Sequence, residues 1–326
     1  MNIEKLPSGS YRIQQIYNGK RYRVTVDHKP TQKEAAIIIA DMLQEKTNRG
    51  SATLSSCIDG YIEAKYNVLS PSSIRGYKII GRNSPEWFLN MNIYDIEQVE
   101  MQKAVNEYSL THSPKSVRNF HALMVAAIKM YRPNISFNTT LPQKDAKEIS
   151  IPNHDDIIKL LDYAKNTDSY VAIVLGCLGL RRSEVLALRP EDISGNKLTI
   201  NKALVINEDC KYILKKTKTT SSTRTIYIPD DLVDRIKKQG FIYNNTPNTL
   251  VNQLHRYQDK IGMPRCRFHD LRHFYVSYAH SIGMSDAAIL KAGGWKTDTI
   301  MKNVYRHSMN DESEQERVAK SMFKIE

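Results

Sequence analysis

The chain has 326 residues, enough for two domains, and 41% of them are apolar, enough for real cores. Lys and Arg outnumber Asp and Glu by 47 to 35, a formal net charge of +12. That balance points to a polyanionic partner, most simply nucleic acid, and no apolar run approaches the length of a membrane span.

The start, Met1-Asn2-Ile3-Glu4-Lys5, lacks the features of a signal peptide. Cys57, Cys177, Cys210 and Cys266 form no Cys-x-x-Cys pair and no ligand spacing with the nine histidines. They read as reduced thiols of a cytoplasmic protein, with no metal site.

Residues 1–50 read as a separate small module. Tyr11 to Ile16 and Arg21 to Val26 alternate like strands, and Asn18-Gly19 between them is a hairpin turn. Thr31-Gln32-Lys33-Glu34 fits a capping box that opens a helix to about Glu45. The module carries nine Lys and Arg against five acids, and Asn48-Arg49-Gly50-Ser51 reads as a linker.

Residues 51–132 are helical by pattern. Helices are predicted at Leu54 to Lys65, from Ser70-Pro71 through Ile80, at Ile96 to Tyr108, and from Ser113-Pro114 through Ile128. Arg75, Lys78, Lys115, Arg118 and Lys129 are candidate phosphate contacts, although a lone surface charge is more often simply solvated. Residues 133–152 lack periodicity, contain Pro133, Pro142 and Pro152, and read as an interdomain linker. The rest, 153–326, mixes helices with a strand-rich stretch from Lys197 to Ile228. The fold class is α+β, mainly helical, with a small sheet or hairpin in the last domain.

The stretch Arg267 to His307 carries the chemistry. His269 and Arg272, three apart on a helix, share a face. A guanidinium is a planar fork of donors suited to a phosphate, and an imidazole adds a donor beside it. Gly293-Gly294 then breaks the chain before Trp295, and a short helical piece, Asp298 to Val304, leads to Tyr305. A phenol beside phosphate-binding donors points to covalent catalysis on a phosphodiester. Upstream, Gly179-Leu180-Arg181-Arg182-Ser183-Glu184 follows an apolar run and supplies a second Arg.

Together these residues resemble the tyrosine recombinase (phage integrase) family. Its pattern is an Arg after Gly-x with an acid three residues on, a hairpin Lys, His-x-x-Arg, a His or Trp, and a Tyr. All six elements occur in that order between Ser169 and Met309. The resemblance selects Arg181 over Arg182 and gives Glu184 an orienting role. Arg181 and Arg272 would cradle the non-bridging oxygens, and His269 would donate to the phosphate or assist proton transfer. The run Lys215-Lys216-Thr217-Lys218 through Arg224 is similar to the family's Lys-Thr-x-Ser-Ser-x-Arg; aligning on Arg224 selects Lys218 as the acid, with Lys216 the alternative. Trp295 would hydrogen-bond and pack, because an indole N–H cannot shuttle a proton. Its spacing to Tyr305, ten residues, is one longer than the commonest family pattern.

The reaction implied is transesterification through a 3′-phosphotyrosine and a Holliday junction, with no cofactor and no metal. The partners implied are duplex DNA at core and arm-type sites, a homotetramer, and in some systems a DNA-bending host factor and an excisionase. In the family, residues 1–50 would be the arm-binding module, 51–132 the core-binding domain, 133–152 the linker and 153–326 the catalytic domain. The leading function is thus an integrase of a mobile element. The alternatives are DNA relaxation of the type IB topoisomerase kind and non-catalytic DNA binding.

Overall fold

The computed structural model describes residues 1–17, 20–47, 52–144, 151–216 and 223–295. The chain divides into two compact units, Met1–Asp145 and Ala146–Glu326.

The first unit opens with three antiparallel strands, β1 (Asn2–Lys5), β2 (Tyr11–Tyr17) and β3 (Lys20–Val26), in the order β1-β2-β3. Ile13 pairs with Val24 and Arg12 with Thr25, so the alternation sorts apolar from polar residues onto opposite faces. Ile13 meets Ala35 and Ile39 of helix α1 (Gln32–Thr47) in a small core. Thr31 and Glu34 cap that helix reciprocally, at 3.3 and 3.2 Å, as the capping box predicts. The turn at Asn18-Gly19 and the stretch 48–51 lie outside the described residues. Strand β1 is an addition to the sequence reading; its Ile3 packs on the same small core.

A helical bundle follows, built from α2 (Leu54–Ala64), α3 (Pro71–Asn83), α4 (Glu86–Leu89), α5 (Gln98–Ser109) and α6 (Pro114–Tyr131). Ser70 and Ser113 cap α3 and α6, each with Pro in the first helical turn. Leu54, Ile58, Met101, Phe120, Leu123 and Met124 fill the core. The short α4, absent from the sequence reading, exists to bury Phe88 against Phe120.

The segment expected to begin a linker at residue 133 is strapped to this bundle as far as Pro142. Gln98 exchanges two hydrogen bonds with the Asn138 backbone, at 3.0 and 2.7 Å. Gln102 does the same with Thr140, at 3.1 and 2.8 Å. Two glutamines one helical turn apart, about 6 Å, match two extended residues, about 6.6 Å. Arg118, a candidate phosphate contact, donates from Nη2 to the Pro142 carbonyl at 2.7 Å.

The second unit holds α7 (His154–Ala164), α8 (Tyr170–Cys177), α9 (Arg182–Val185), α10 (Asp230–Gln239), α11 (Pro247–Lys260), α12 (Phe268–Ser281) and α13 (Asp286–Gly293). Between α9 and α10 lie a three-stranded sheet of β4 (Ile193–Ser194), β5 (Lys197–Ile200) and β8 (Arg224–Tyr227), and a separate hairpin of β6 (Lys202–Ile206) and β7 (Tyr212–Lys216). Helix α8 is apolar nearly all round and runs through the core. Helix α12 lies against it so closely that a Cβ on Gly176 would stand 2.8 Å from the Phe268 ring. Among the described residues, no helix is long and apolar enough to cross a membrane and no cluster of side chains suits a metal ion. The four cysteines are free thiols.

Candidate active site

Two helix ends build the site by the same device. Helix α8 ends at Gly179, with φ +90°; the Gly179 amide donates to the Gly176 carbonyl at 3.0 Å and the Leu180 amide to Leu175 at 3.1 Å. Helix α13 ends at Gly294, with φ +66°; the Gly294 amide donates to Lys291 at 3.2 Å and the Trp295 amide to Leu290 at 3.0 Å. Both are left-handed glycine caps of the Schellman kind, which turn the chain sharply off a helix. The first delivers Arg181 and the second Trp295. A Cβ on Gly179 would come 2.8 Å from Tyr275, too close without a shift, and one on Gly294 would crowd Arg224 at 3.1 Å.

Carbonyls at these helix ends are short of partners and carry the negative end of the helix dipole, so cations suit them. Three arginines take them. Arg272 Nη1 donates to the Gly179 carbonyl. Arg181 Nη2 donates to Gly294 at 3.2 Å, and Arg224 Nε to Ala292 at 2.6 Å. Close packing of α12 on α8 therefore brings Arg272 to the turn that carries Arg181.

Glu184 joins two of these arginines. Its Oε1 accepts from Arg181 Nη1 at 2.7 Å and Arg224 Nη1 at 3.1 Å. Its Oε2 accepts from the Arg181 amide and Arg224 Nη2, both at 2.8 Å. Burial works against the carboxylate, but the Arg224 and Arg181 contacts outweigh it and hold the pKa at about 2.

Arg272 is fully buried, and its Cζ lies 3.6 Å from the centre of the Trp295 ring. Its Nε and Nη2 are buried with no hydrogen-bond partner among the described residues. Burial first, and then the charge of Arg181, disfavour its cation, with Glu184 opposing. A guanidinium nonetheless stays protonated at neutral pH. An unpaired buried cation edge is costly, and an anionic oxygen is the group it would stabilise most.

His269, in the first turn of α12, is exposed where Arg272 is buried, so their spacing gives one side of the helix but different depths. Loss of water around its ring, then His273, Arg272 and Arg181, push its pKa down to about 4, with Asp270 opposing. The positive neighbours alone support that direction, and the imidazole is neutral at pH 7. His273 is buried edge-on to it, with ring centres 4.9 Å apart. Arg182 is exposed.

Arg181, His269, Arg272 and Trp295 thus fall in one neighbourhood, threaded by the bonds above. Lys218 and Tyr305 lie outside the described residues, as does the segment from Asp298 to the C-terminal tail. Lys216, the alternative hairpin lysine, ends β7 exposed, opposite Lys202. Sequence reading used Arg224 only as an alignment anchor and missed its contacts. The signal was present: in the alternation Arg224-Ile226-Ile228, a charged residue holds a core-facing place.

Known structures share this architecture. The Tn1549 transposon integrase in complex with transposon right-end DNA superposes with a TM-score of 0.68 at 18% identity, over 82% of this chain and 100% of that one. A lambda integrase tetramer bound to a Holliday junction gives 0.61 at 17% identity, over 93% of this chain and 94% of that one. The chain has the fold of the tyrosine recombinase family.

In sequence, it is 25% identical over 206 residues to a "Tyrosine recombinase XerC-like" of Caldanaerobacter subterraneus subsp. tengcongensis, covering 52% of this chain and 53% of that protein. It is 23% identical over 175 residues to the "Integrase" of Mycobacterium phage L5, covering 47% of this chain and 46% of that protein. The chain spans about half the length of the curated relatives it matches. No family model matches. The likeness to tyrosine recombinases read from six ordered residues is therefore met again in curated relatives and in the fold.

Proposed function

We propose that the chain is a site-specific DNA recombinase, an integrase of a mobile element. It would cleave and rejoin DNA through Tyr305. The observation that carries this reading is the pairing of Arg181 and Arg272 beside His269, each guanidinium anchored by a helix-end carbonyl. Charge grows on the non-bridging oxygens of a phosphodiester as a nucleophile arrives, and preorganised donors there are the main catalytic lever. The neutral His269 suits a hydrogen bond to the phosphate or acceptance of the phenol proton. The Tyr305 oxygen would attack phosphorus, forming a 3′-phosphotyrosine as the bond to the 5′-oxygen breaks. Lys218 would give the departing oxygen its proton. Religation reverses these steps.

The division of labour follows the same reading: 1–50 on arm-type DNA, 51–132 and 153–326 around the core site, joined by 133–152. The exposed face of the N-terminal sheet, with Arg12, Arg21 and Arg23 opposite the Ile13 side, supports a DNA-facing role. Synapsis would take a tetramer and a Holliday junction, with a DNA-bending factor and an excisionase as optional partners in the host cytoplasm.

The test is trapping on a nicked suicide duplex. Wild type should give a covalent adduct on a denaturing gel, and Tyr305→Phe none while still binding DNA. No adduct from the wild-type chain, or full adduct from Tyr305→Phe, sinks the proposal. Relaxation of supercoiled plasmid lacking paired sites would favour the topoisomerase alternative.

A further inference from the structure

We infer that Arg224 is a positioning residue for strand cleavage, acting through Glu184 on Arg181 and through the α13 end on Trp295. The inference rests on the strand-cleavage reading above. Its basis is the geometry of one buried side chain. Arg224 is 6% exposed, and all three of its guanidinium nitrogens are engaged. Two of them form a fork on Glu184, and Nε takes the Ala292 carbonyl.

The count of acceptor sites on Glu184 shows what the fork does. A carboxylate offers about four lone-pair sites. Glu184 receives two donors from Arg224 and two from Arg181, one of them the Arg181 backbone amide. Its place is then determined from both sides. Arg181 is the more exposed partner, its side chain 37% accessible against 3% for Arg224. A long, half-exposed side chain keeps one orientation only if its anchor cannot move. Arg224 is what immobilises the anchor.

The second contact reaches the other half of the site. Ala292 lies just before Gly293-Gly294, where a Cβ on Gly293 would overlap the Trp295 ring. Arg224 thus grips the end of α13 at the turn that lays Trp295 on Arg272. One residue, on a strand end, sets the orientation of Arg181 and the cover over Arg272.

Removal should act on cleavage without needing to change DNA binding. Arg224→Gln keeps a polar stem but cannot make the fork, and should slow single-turnover cleavage on the order of 10²-fold. The loss should be much smaller on a substrate whose scissile linkage is a methylphosphonate. That linkage lacks one anionic oxygen and so needs the Arg181 fork less. In a Trp87→Phe background, Trp295 is the remaining tryptophan, and its emission should shift red and quench more readily with iodide in Arg224→Gln. If Arg224→Gln fails to fold by circular dichroism, Arg224→Lys, which keeps a cation beside Glu184, takes its place with an intermediate loss.

A folded variant that cleaves the phosphodiester within about twofold of wild type overturns the inference, as does an equal loss on both linkages with unchanged Trp295 emission. If the wild-type chain itself makes no adduct, the strand-cleavage reading fails. Unchanged Trp295 emission in the variant is then what overturns the clamp.

Discussion

The two units solve the burial problem differently. Among the described residues of the first, the buried set is apolar apart from Ser84. The second buries Glu184, Arg224, Asp270, Arg272 and His273. Stripping water from a charge is expensive, and a hydrophobic replacement of similar size often folds as well or better. Charges retained in a core at that cost mark where the molecule does something other than fold. The first unit is built for stability and surface contact, the second around an ionic network.

The largest expected effect tests that reading directly. Arg181→Ala or Arg272→Ala should each lower single-turnover cleavage by roughly 10²–10³-fold or more, as loss of an oxyanion donor does. Lys at either place should not rescue, because a point charge cannot reproduce the fork. Cleavage within a few-fold of wild type for either variant would remove that arginine from the site.

Next comes stability, which should move the other way. Met101→Ala in the first unit creates a cavity under a fully buried side chain and should cost about 2–5 kcal/mol. Arg272→Met removes a buried cation, leaves the Gly179 carbonyl without its donor, and keeps a group under Trp295. These changes offset, so unfolding should shift by less than about 2 kcal/mol. Trp87 reports on the first unit and Trp295 on the second, so denaturant curves at the two tryptophans separate the units. A larger loss for Arg272→Met than for Met101→Ala would make the buried cation a structural support.

The same contrast explains what was legible in the sequence. Apolar periodicity and caps located the bundle well, since Ser70-Pro71 and Ser113-Pro114 act locally. Elements held by tertiary contact were missed. Strand β1 carries few apolar residues, α4 is one turn around Phe88, and the 135–142 strap depends on glutamines about 40 residues away. In the site, motif order singled out Arg181, His269, Arg272 and Trp295 as candidates. It could not show that Arg272 is buried under Trp295, or that Glu184 serves two arginines. Those facts follow from where helix ends meet, and spacing along the chain does not record that.

A smaller effect concerns acid. The ordinary His pKa is 6.5 and that of His269 about 4. As pH falls through that window, the unfolded chain takes up a proton that the folded chain refuses, so the fold weakens. His273, lowered chiefly by burial, acts in the same direction. Glu184, at about 2 against 4.5, adds its loss only below 4.5, as its unfolded carboxyl protonates. Melting followed at Trp295 should fall between pH 7 and 4.5, and His269→Asn should flatten that fall. Equal slopes for wild type and variant would show that His269 is not held neutral by its surroundings.

The smallest expected effect sharpens the comparison most, because it asks for no change. Residues 1–50 carry nine Lys and Arg against five acids, and their small core of Ile13, Ala35 and Ile39 is separate from that of the bundle. The candidate residues Arg181, Lys218, His269, Arg272, Trp295 and Tyr305 all lie beyond Pro152. Deleting 1–50 should therefore leave cleavage of a core suicide substrate within about twofold of wild type, while recombination that depends on arm sites falls. Binding of the full chain to arm DNA should weaken with salt, by a log–log slope of about −0.9 for each phosphate contact. Arg21→Ala and Arg23→Ala, on the exposed face of β3, should each make that slope shallower by about one contact. Equal recombination with and without the module would show it dispensable. Loss of core cleavage in a well-folded truncation would show that it does more than hold a distant DNA site.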